Sequence, residues 1–258
     1  MSVFRTWESY RIFERSVKRE ARYIHSADVD EFFEIVIATS GKREVPFPSG
    51  SEFWRAQLGH AWATVSQNYE NEENEQFEVE SPYPPERMNP LRDKAKEGRA
   101  NAKGIPYLYL ATDKETAMAE VRPWIGACIS VGLFKTLKDF KLVDLSVHTK
   151  PGTTIYLKEP DVDKREIAVW TDIDKAFSEP VTNNDSSPDY APTQILSELF
   201  RHHGYDGVVY KSSLGKGRNV VLFDINAADL LNCYLYKVES VSFKFEQSGN
   251  PYYIRSDK

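Results

Sequence analysis

Three side chains with the potential for ligand binding and catalysis lie in one short segment, residues 98–123. Arg99 follows a glycine, Tyr109 lies in an aromatic and aliphatic run, and Glu120 lies near the end of an amphipathic pattern. A guanidinium can hold phosphate groups, and a carboxylate can act as a general base. A phenol ring can stack on a cationic heterocycle while its hydroxyl remains available for a hydrogen bond. The segment therefore has the residue types of a catalytic site.

A strand and a helix should position these side chains. The run over residues 107–110 predicts a short buried strand. Thr112 and Glu115 have the spacing of a capping box, which predicts a helix over residues 113–122. The apolar residues expected to face the core from this helix are Ala117, Val121 and Trp124.

Glu120 should lie beside that apolar stripe, where a carboxylate needs hydrogen bonds, a cation or a chemical role. Two interpretations stay open. Glu120 either pairs with Arg122, Arg99 or a backbone donor and holds the fold, or it takes part in catalysis.

The second half of the chain supplies hydroxyl side chains between two predicted strands. Residues 192–203 predict a helix, and residues 205–211 and 220–223 predict strands. Ser212 and Ser213 follow the first of these strands and precede two glycines. This pattern suits the approach of a phosphate or ribose, but an ordinary hairpin turn is the simpler interpretation.

Several sequence blocks occur in the order typical of the RES domain family, which this chain resembles over roughly residues 50–235. The blocks are Phe-Trp-Arg-Ala (53–56), Gly-Arg-Ala-Asn-Ala-Lys-Gly (98–104), Tyr-Leu-Ala-Thr and Ala-Met-Ala-Glu (within 109–120), Pro-Thr-Gln-Ile-Leu (192–196), Gly-Tyr-Asp-Gly-Val-Val-Tyr-Lys-Ser-Ser (204–213) and Arg-Asn-Val-Val-Leu-Phe (218–223). The chain departs from the family pattern at Ala100, Ala102 and Lys103, where an aromatic residue and prolines are usual.

The resemblance implies an α+β fold with the split β-sheet core of ADP-ribosyltransferases, flanking helices, and NAD in a cleft between two small sheets. The chemistry that the resemblance implies requires no metal. Carried over block by block, it implies the catalytic residues Arg55, Tyr109, Glu120 and Ser212, and the NAD-binding residues Arg55, Arg99, Tyr109, Ser212, Ser213 and Asn219.

Three functions stay open. The first is an NAD-degrading toxin of a toxin–antitoxin pair, acting as a glycohydrolase or a phosphorylase with water or inorganic phosphate as acceptor. The second is a mono-ADP-ribosyltransferase that modifies a protein, and the third is a non-catalytic binding or regulatory module. The resemblance also implies a partner, a small helical, DNA-binding antitoxin of the Xre type.

The sequence predicts three regions. An N-terminal helical region covers residues 1–48, a RES domain with a mobile acidic insertion around 66–97 covers residues 49–235, and a C-terminal strand and tail cover residues 236–258. In the first region, apolar residues at helical spacing from Trp7 to Ile24 predict one helix, and Ser26 can cap a second helix that contains the apolar residues of 32–37. Together they predict a helical hairpin. Six glutamates between Glu70 and Glu80, and the stretch over 178–192, predict mobile loops.

Composition argues against several classes of partner. A net charge of −6 disfavours direct binding to nucleic acid or to an anionic membrane through a broad basic face. The chain has neither a long apolar run nor a signal-like start, so we expect a cytoplasmic protein. Its five histidines show no ligand spacing, and Cys128 and Cys233 are isolated, so we expect reduced core thiols and no metal.

Overall fold

The computed structural model describes residues 3–67, 75–147, 156–179, 187–243 and 245. Six α-helices and ten strands occur in these residues. The helices are α1 (Ser9–Arg19), α2 (Ala27–Ser40), α3 (Pro85–Met88), α4 (Lys114–Glu120), α5 (Val162–Ser178) and α6 (Ser187–His202). The strands are β1 (Glu44–Phe47), β2 (Glu52–Leu58), β3 (Ala61–Gln67), β4 (Glu75–Ser81), β5 (Leu108–Ala111), β6 (Cys128–Thr136), β7 (Phe140–Asp144), β8 (Gly207–Lys211), β9 (Arg218–Leu222) and β10 (Ala228–Lys237).

Eight strands form one mixed sheet that is divided into two parts. The first part has the order β1-β7-β8-β9-β5, and the second has the order β2-β6-β10. The parts join through one residue pair, Trp54 of β2 and Ala111 of β5, whereas β2 pairs with β6 along its full length, from Glu52 to Leu58. This split sheet, together with the flanking helices, confirms the predicted α+β fold class.

Two hydrophobic cores cover the sheet. The first packs helices α1, α2, α5 and α6 against the first part of the sheet and includes the fully buried Trp170 and Phe200. The second contains side chains from both parts, including Phe53 and Phe134 from one part and Leu222 from the other. Alternate side chains of the central strands therefore lie in opposite cores. A shift of one residue would move each side chain to the other core, and this fixes the register in which the strands pair.

The N-terminal helices contribute directly to the first core. Phe13 of α1 stacks on Phe32 of α2 with ring centroids 4.8 Å apart. Helix α1 ends at Arg19, so the expected extension of its apolar stripe to Ile24 is wrong, and Ile24 is 82% exposed. The chain has to turn there before α2 begins.

The predicted domain boundaries at 48/49 and 235/236 stay predictions.

Part of the predicted acidic loop is a strand. Residues 75–81 form β4, which pairs with β3 in a separate two-stranded hairpin, so a loop from 75 onward is wrong. The strand forms because Phe77 and Val79 alternate with polar and acidic residues. Successive side chains of a strand point to opposite faces, so the two apolar residues share one face of the hairpin. Residues 68–74 lie outside the described part of the chain.

The second predicted loop is also shorter than expected. Helix α6 already begins at Ser187, and residues 180–186 lie outside the described part. Among the helices that the structure describes, none combines the length and the apolar character needed to cross a bilayer.

Candidate active site

A cavity of about 400 Å³ opens where the two parts of the sheet join. Its wall includes Arg55, Arg99, Tyr109, Glu120 and Asn219, which come from separate blocks of the sequence. The split in the sheet creates this space, because Trp54 and Ala111, the pair that joins the two parts, also line it. The structure thus brings these predicted side chains to one place, while their roles stay predictions.

Helix α4 carries Glu120 at its C-terminal end. Asp113 caps the other end, and its carboxylate accepts a hydrogen bond from the backbone N of Thr116 at 2.8 Å. The predicted capping box that begins at Thr112 is therefore wrong. The hydroxyl of Thr112 instead accepts a hydrogen bond from the backbone N of Arg218 at 3.0 Å, which ties the helix start to β9.

Glu120 is exposed and does not face the core as expected from the sequence. The helix ends at Glu120 and Arg122 has a φ of 48°, in the left-handed region, so Trp124 does not continue the apolar stripe. Trp124 is 64% exposed. The carboxylate therefore needs no buried counter-ion, and it is open to a ligand in the cavity.

Two neutral donors hold the carboxylate of Glu120. Its Oε1 accepts hydrogen bonds from Oγ of Ser212 at 2.7 Å and from Nδ2 of Asn219 at 2.8 Å. Oγ of Ser212 also accepts hydrogen bonds from the backbone N atoms of Leu214 and Gly215, at 3.1 and 2.9 Å. Because two N–H groups occupy its acceptor sites, the single hydroxyl proton of Ser212 points to Glu120.

The glycine-containing turn after β8 fixes Ser212 in this position. A Cβ atom on Gly215 would lie 2.4 Å from Oγ1 of Thr116, and the backbone N of Gly217 donates to the same hydroxyl at 2.9 Å. The turn is thus a hairpin that packs on the first turn of α4. The contact to Glu120 comes from Ser212; the neighbouring Ser213 makes no such contact within the described residues.

The opposite charge in the cavity is the half-buried guanidinium of Arg55. Arg55 of β2 donates from Nη1 to the carbonyl of Tyr109 at 3.2 Å, and its Nε is buried without a partner in the described residues. Burial, with a smaller effect of the nearby Arg87, lowers the pKa of Arg55 to about 10, which leaves the group protonated at neutral pH. No carboxylate in the described part of the chain forms an ion pair with it.

The hydroxyl of Tyr109 is structural, which corrects the expectation that it remains available to a ligand. It accepts a hydrogen bond from the backbone N of Ala100 at 3.0 Å and donates to Oδ1 of Asn101 at 2.7 Å. Burial raises the pKa of this phenol. A Cβ atom on Gly98 would lie 2.6 Å from the hydroxyl, so the glycine permits this close contact. With its hydroxyl occupied, Tyr109 has its ring left as a surface for a ligand in the cavity that it lines.

Sequence reasoning missed the residues that hold the Arg99 loop. Nδ2 of Asn101 donates to the carbonyl of Ile105 at 2.8 Å. Thr193 and Gln194 of α6 donate to the carbonyls of Arg99 and Gly98, at 2.5 and 2.9 Å. Thr193 is buried on the inner face of α6. A polar residue among the apolar residues of this helix was the sequence signal that could have predicted such a contact.

A second cavity of about 310 Å³ shares Arg55 and Tyr109 with the first. It adds three cations, Arg87, Lys94 and Lys96. The second cavity is thus lined by cations, and the first contains the carboxylate of Glu120 together with Arg55 and Arg99. Such an arrangement suits an elongated ligand with anionic groups and one centre that becomes positively charged during reaction.

The chain belongs to the RES domain family, because the profile of the RES domain matches residues 77–246, more than half of the chain. The match contains Arg99, Tyr109, Glu120, Ser212 and Asn219, and it begins after Arg55.

Among solved structures, the crystal structure of the M. tuberculosis MbcT-MbcA toxin-antitoxin complex contains a chain that is 15% identical in sequence, with a TM-score of 0.40. The alignment covers 78% of the present chain and 92% of that chain. No sequence among curated proteins matches.

Proposed function

We propose that this protein is an NAD-degrading toxin that cleaves the bond between nicotinamide and ribose. The observation that carries the proposal is one cavity that holds both Glu120, whose Oε1 accepts hydrogen bonds from Ser212 and Asn219, and Arg55, a half-buried cation that has no ion pair among the described residues. The carboxylate of Glu120 suits the stabilisation of positive charge, and the guanidinium of Arg55 suits a bound anion. Membership of the RES family supports NAD as the ligand, because NAD carries an anionic pyrophosphate and a ribose that becomes positively charged during cleavage.

In the proposed binding mode, Arg55 and Arg99 hold the pyrophosphate. One nitrogen of Arg99, Nη1, donates to the carbonyl of Ala176 at 3.1 Å, which orients the guanidinium and leaves its other N–H groups for phosphate oxygens. The ring of Tyr109 offers its face to the positively charged nicotinamide. The adenosine half extends past Arg55 toward the second cavity.

Departure of nicotinamide builds positive charge on the ribose, as in an oxocarbenium ion. Glu120 would stabilise that charge and orient the acceptor. Within the part of the chain that the structure describes, only Oε1 accepts hydrogen bonds, so Oε2 is left for the sugar or for the acceptor. Ser212 and Asn219 act as positioning residues that hold the carboxylate.

The acceptor is water or inorganic phosphate in this proposal. Transfer of ADP-ribose to a protein is the second candidate, and the exposed position of Glu120 favours it, because a side chain from another protein can reach this end of the cavity. A binding module without catalysis is the third candidate.

We also propose a partner. A toxin that depletes NAD in the cytoplasm must be restrained in the cell that produces it, and family membership supports an antitoxin of the Xre type in that role. Expression of the wild-type chain should arrest growth, and co-expression with a cognate antitoxin of this type should relieve that arrest. If the wild-type chain and Glu120→Gln affect growth equally, growth arrest does not depend on the proposed active site.

Product analysis separates the three functions. Purified protein is incubated with NAD, with and without inorganic phosphate, and the products are separated by chromatography. Free nicotinamide with ADP-ribose indicates hydrolysis, and nicotinamide with ADP-ribose 1-phosphate indicates phosphorolysis. Consumption that requires an added protein, with a mass increase on that protein, indicates transfer. Intact NAD under all conditions would contradict the proposal, and Glu120→Gln serves as the inactive control.

A further inference from the structure

Three potential metal ligands meet away from the proposed active site. His60 lies between β2 and β3, Glu80 lies in β4, and Cys128 begins β6. Nε2 of His60 lies 3.6 Å from Oε1 of Glu80, and Sγ of Cys128 lies 3.8 Å from Oε2 of Glu80. All three donor atoms lie within 4.8 Å of one another. The spacing of these residues along the chain does not predict the cluster, because its members come from three separate strands or strand ends.

The donor set has the chemistry of a zinc site. An imidazole nitrogen, a thiolate and a carboxylate are the three ligand types that Zn²⁺ accepts, and bonds of about 2.0–2.3 Å bring tetrahedral ligand atoms to roughly 3.3–3.8 Å from one another. The two separations given above are already in this range or close to it. Small side-chain rotations would complete three of the four coordination positions.

The tautomer of His60 also suits a metal. Nδ1 lies 3.2 Å from the carbonyl of Ala61, and a carbonyl can only accept, so Nδ1 carries the proton. A neutral imidazole then has its lone pair on Nε2, the atom that faces Glu80 and Cys128. A ligating histidine in proteins ordinarily has its second nitrogen fixed by such a hydrogen bond.

Backbone contacts hold the three strands together independently of any ion. The backbone N of Gly59 donates to the carbonyl of Cys128 at 2.8 Å, and Oγ of Ser130 donates to the carbonyl of Gly59 at 2.9 Å. The backbone N of Tyr83, just after β4, donates to the same Ser130 hydroxyl at 2.9 Å. His60, Glu80 and Cys128 therefore stand on a fixed frame.

We propose that His60, Glu80 and Cys128 bind one Zn²⁺ ion that fastens the β3–β4 hairpin to the edge of the main sheet. The fourth position is open to water, since the side chain of Glu80 is 45% exposed. The ion would be structural. This proposal departs from the sequence expectation of no metal, and it does not depend on the proposed NAD chemistry.

The test uses the full chain without a histidine tag. The protein is loaded with Zn²⁺, desalted and analysed by mass spectrometry of the metal. Co²⁺ is added in parallel, because a thiolate ligand gives a sulfur-to-cobalt charge-transfer absorption. We expect one equivalent of zinc, a cobalt–thiolate band, and a higher unfolding temperature with zinc than after chelation.

Variants identify the ligands. Cys128→Ser should remove the cobalt band and the thermal effect of zinc, while Cys233→Ser, the matched half-buried cysteine of the adjacent strand β10, should retain both. Glu80→Gln alters an exposed side chain and should weaken zinc binding without unfolding the chain. Absence of zinc from the wild-type protein, or equal loss in Cys128→Ser and Cys233→Ser, would overturn the proposal and leave His60 and Glu80 as a simple ion pair.

Discussion

The two sides of the proposed active site differ in how their charges are satisfied. On one side, Glu120 has a set of neutral donors, Ser212 and Asn219, that fix one oxygen. On the other side, Arg55 is half-buried, has a buried Nε without a partner and lacks an ion pair in the described residues. Partial desolvation of a charge without a counter-ion is costly, which favours an anionic ligand on this side. The comparison suggests that the cationic side binds and the acidic side reacts.

Replacing Glu120 by Gln tests the reactive side and should have the largest effect. The amide keeps the size of the side chain but cannot stabilise positive charge. We expect the turnover number for NAD to fall about 10²- to 10⁴-fold, with little change in KM. Steady-state assay of nicotinamide release measures both constants, and circular dichroism checks the fold. Full activity of the variant would remove Glu120 from the mechanism.

Replacing Arg55 by Met tests the binding side. Removing the guanidinium loses charged hydrogen bonds to phosphate, so KM for NAD should rise by about tenfold to a hundredfold. The unfolding temperature should stay equal or increase, because an apolar side chain replaces a partly desolvated charge without an ion pair in the described residues. The exposed Arg92→Met is the control. A fall in stability with unchanged KM would show that Arg55 is structural.

The adjacent serines offer a matched pair for the positioning role. Ser212→Ala removes a hydrogen bond to a carboxylate, which is worth about 1.5 kcal/mol and predicts roughly a tenfold loss of turnover. Ser213→Ala should retain wild-type turnover. The two variants are compared in the same nicotinamide-release assay. Equal effects would contradict the assignment of Ser212.

Tyr109→Phe should affect stability more than activity. The change removes the acceptor of the backbone N of Ala100 and the donor to Oδ1 of Asn101, at a cost of about 1–3 kcal/mol. Denaturant unfolding measures this cost, and turnover should fall only a fewfold because the ring remains. Tyr23→Phe, at an 88% exposed position, should be neutral. A large loss of turnover without loss of stability would assign the hydroxyl to catalysis.

The elements around the site could be predicted because their patterns are local. The predicted helix over 192–203 and the strands over 205–211 and 220–223 correspond to α6, β8 and β9. Family resemblance in turn pointed to Arg55, Arg99, Tyr109, Glu120 and Asn219, which line one cavity. Hydrophobic periodicity and the order of the sequence blocks therefore predict elements and candidate residues, because neither pattern depends on contacts between side chains.

Side-chain partners could not be predicted, because they depend on packing between distant segments. Thr112 and Asp113 are both good caps, and the contact between Thr112 and β9 decides in favour of Asp113. The hydroxyl of Tyr109 is occupied because the loop at Gly98 folds onto it. The cluster of His60, Glu80 and Cys128 likewise exists only after three strands come together.

A crystal structure of the Glu120→Gln variant with NAD tests the central claim most directly, because the slowed variant should retain the intact substrate. The account predicts the pyrophosphate in contact with Arg55 and Arg99, and the nicotinamide-bearing ribose next to residue 120. NAD bound elsewhere, or a cavity that stays empty at saturating NAD while the wild-type protein still consumes it, would contradict the account.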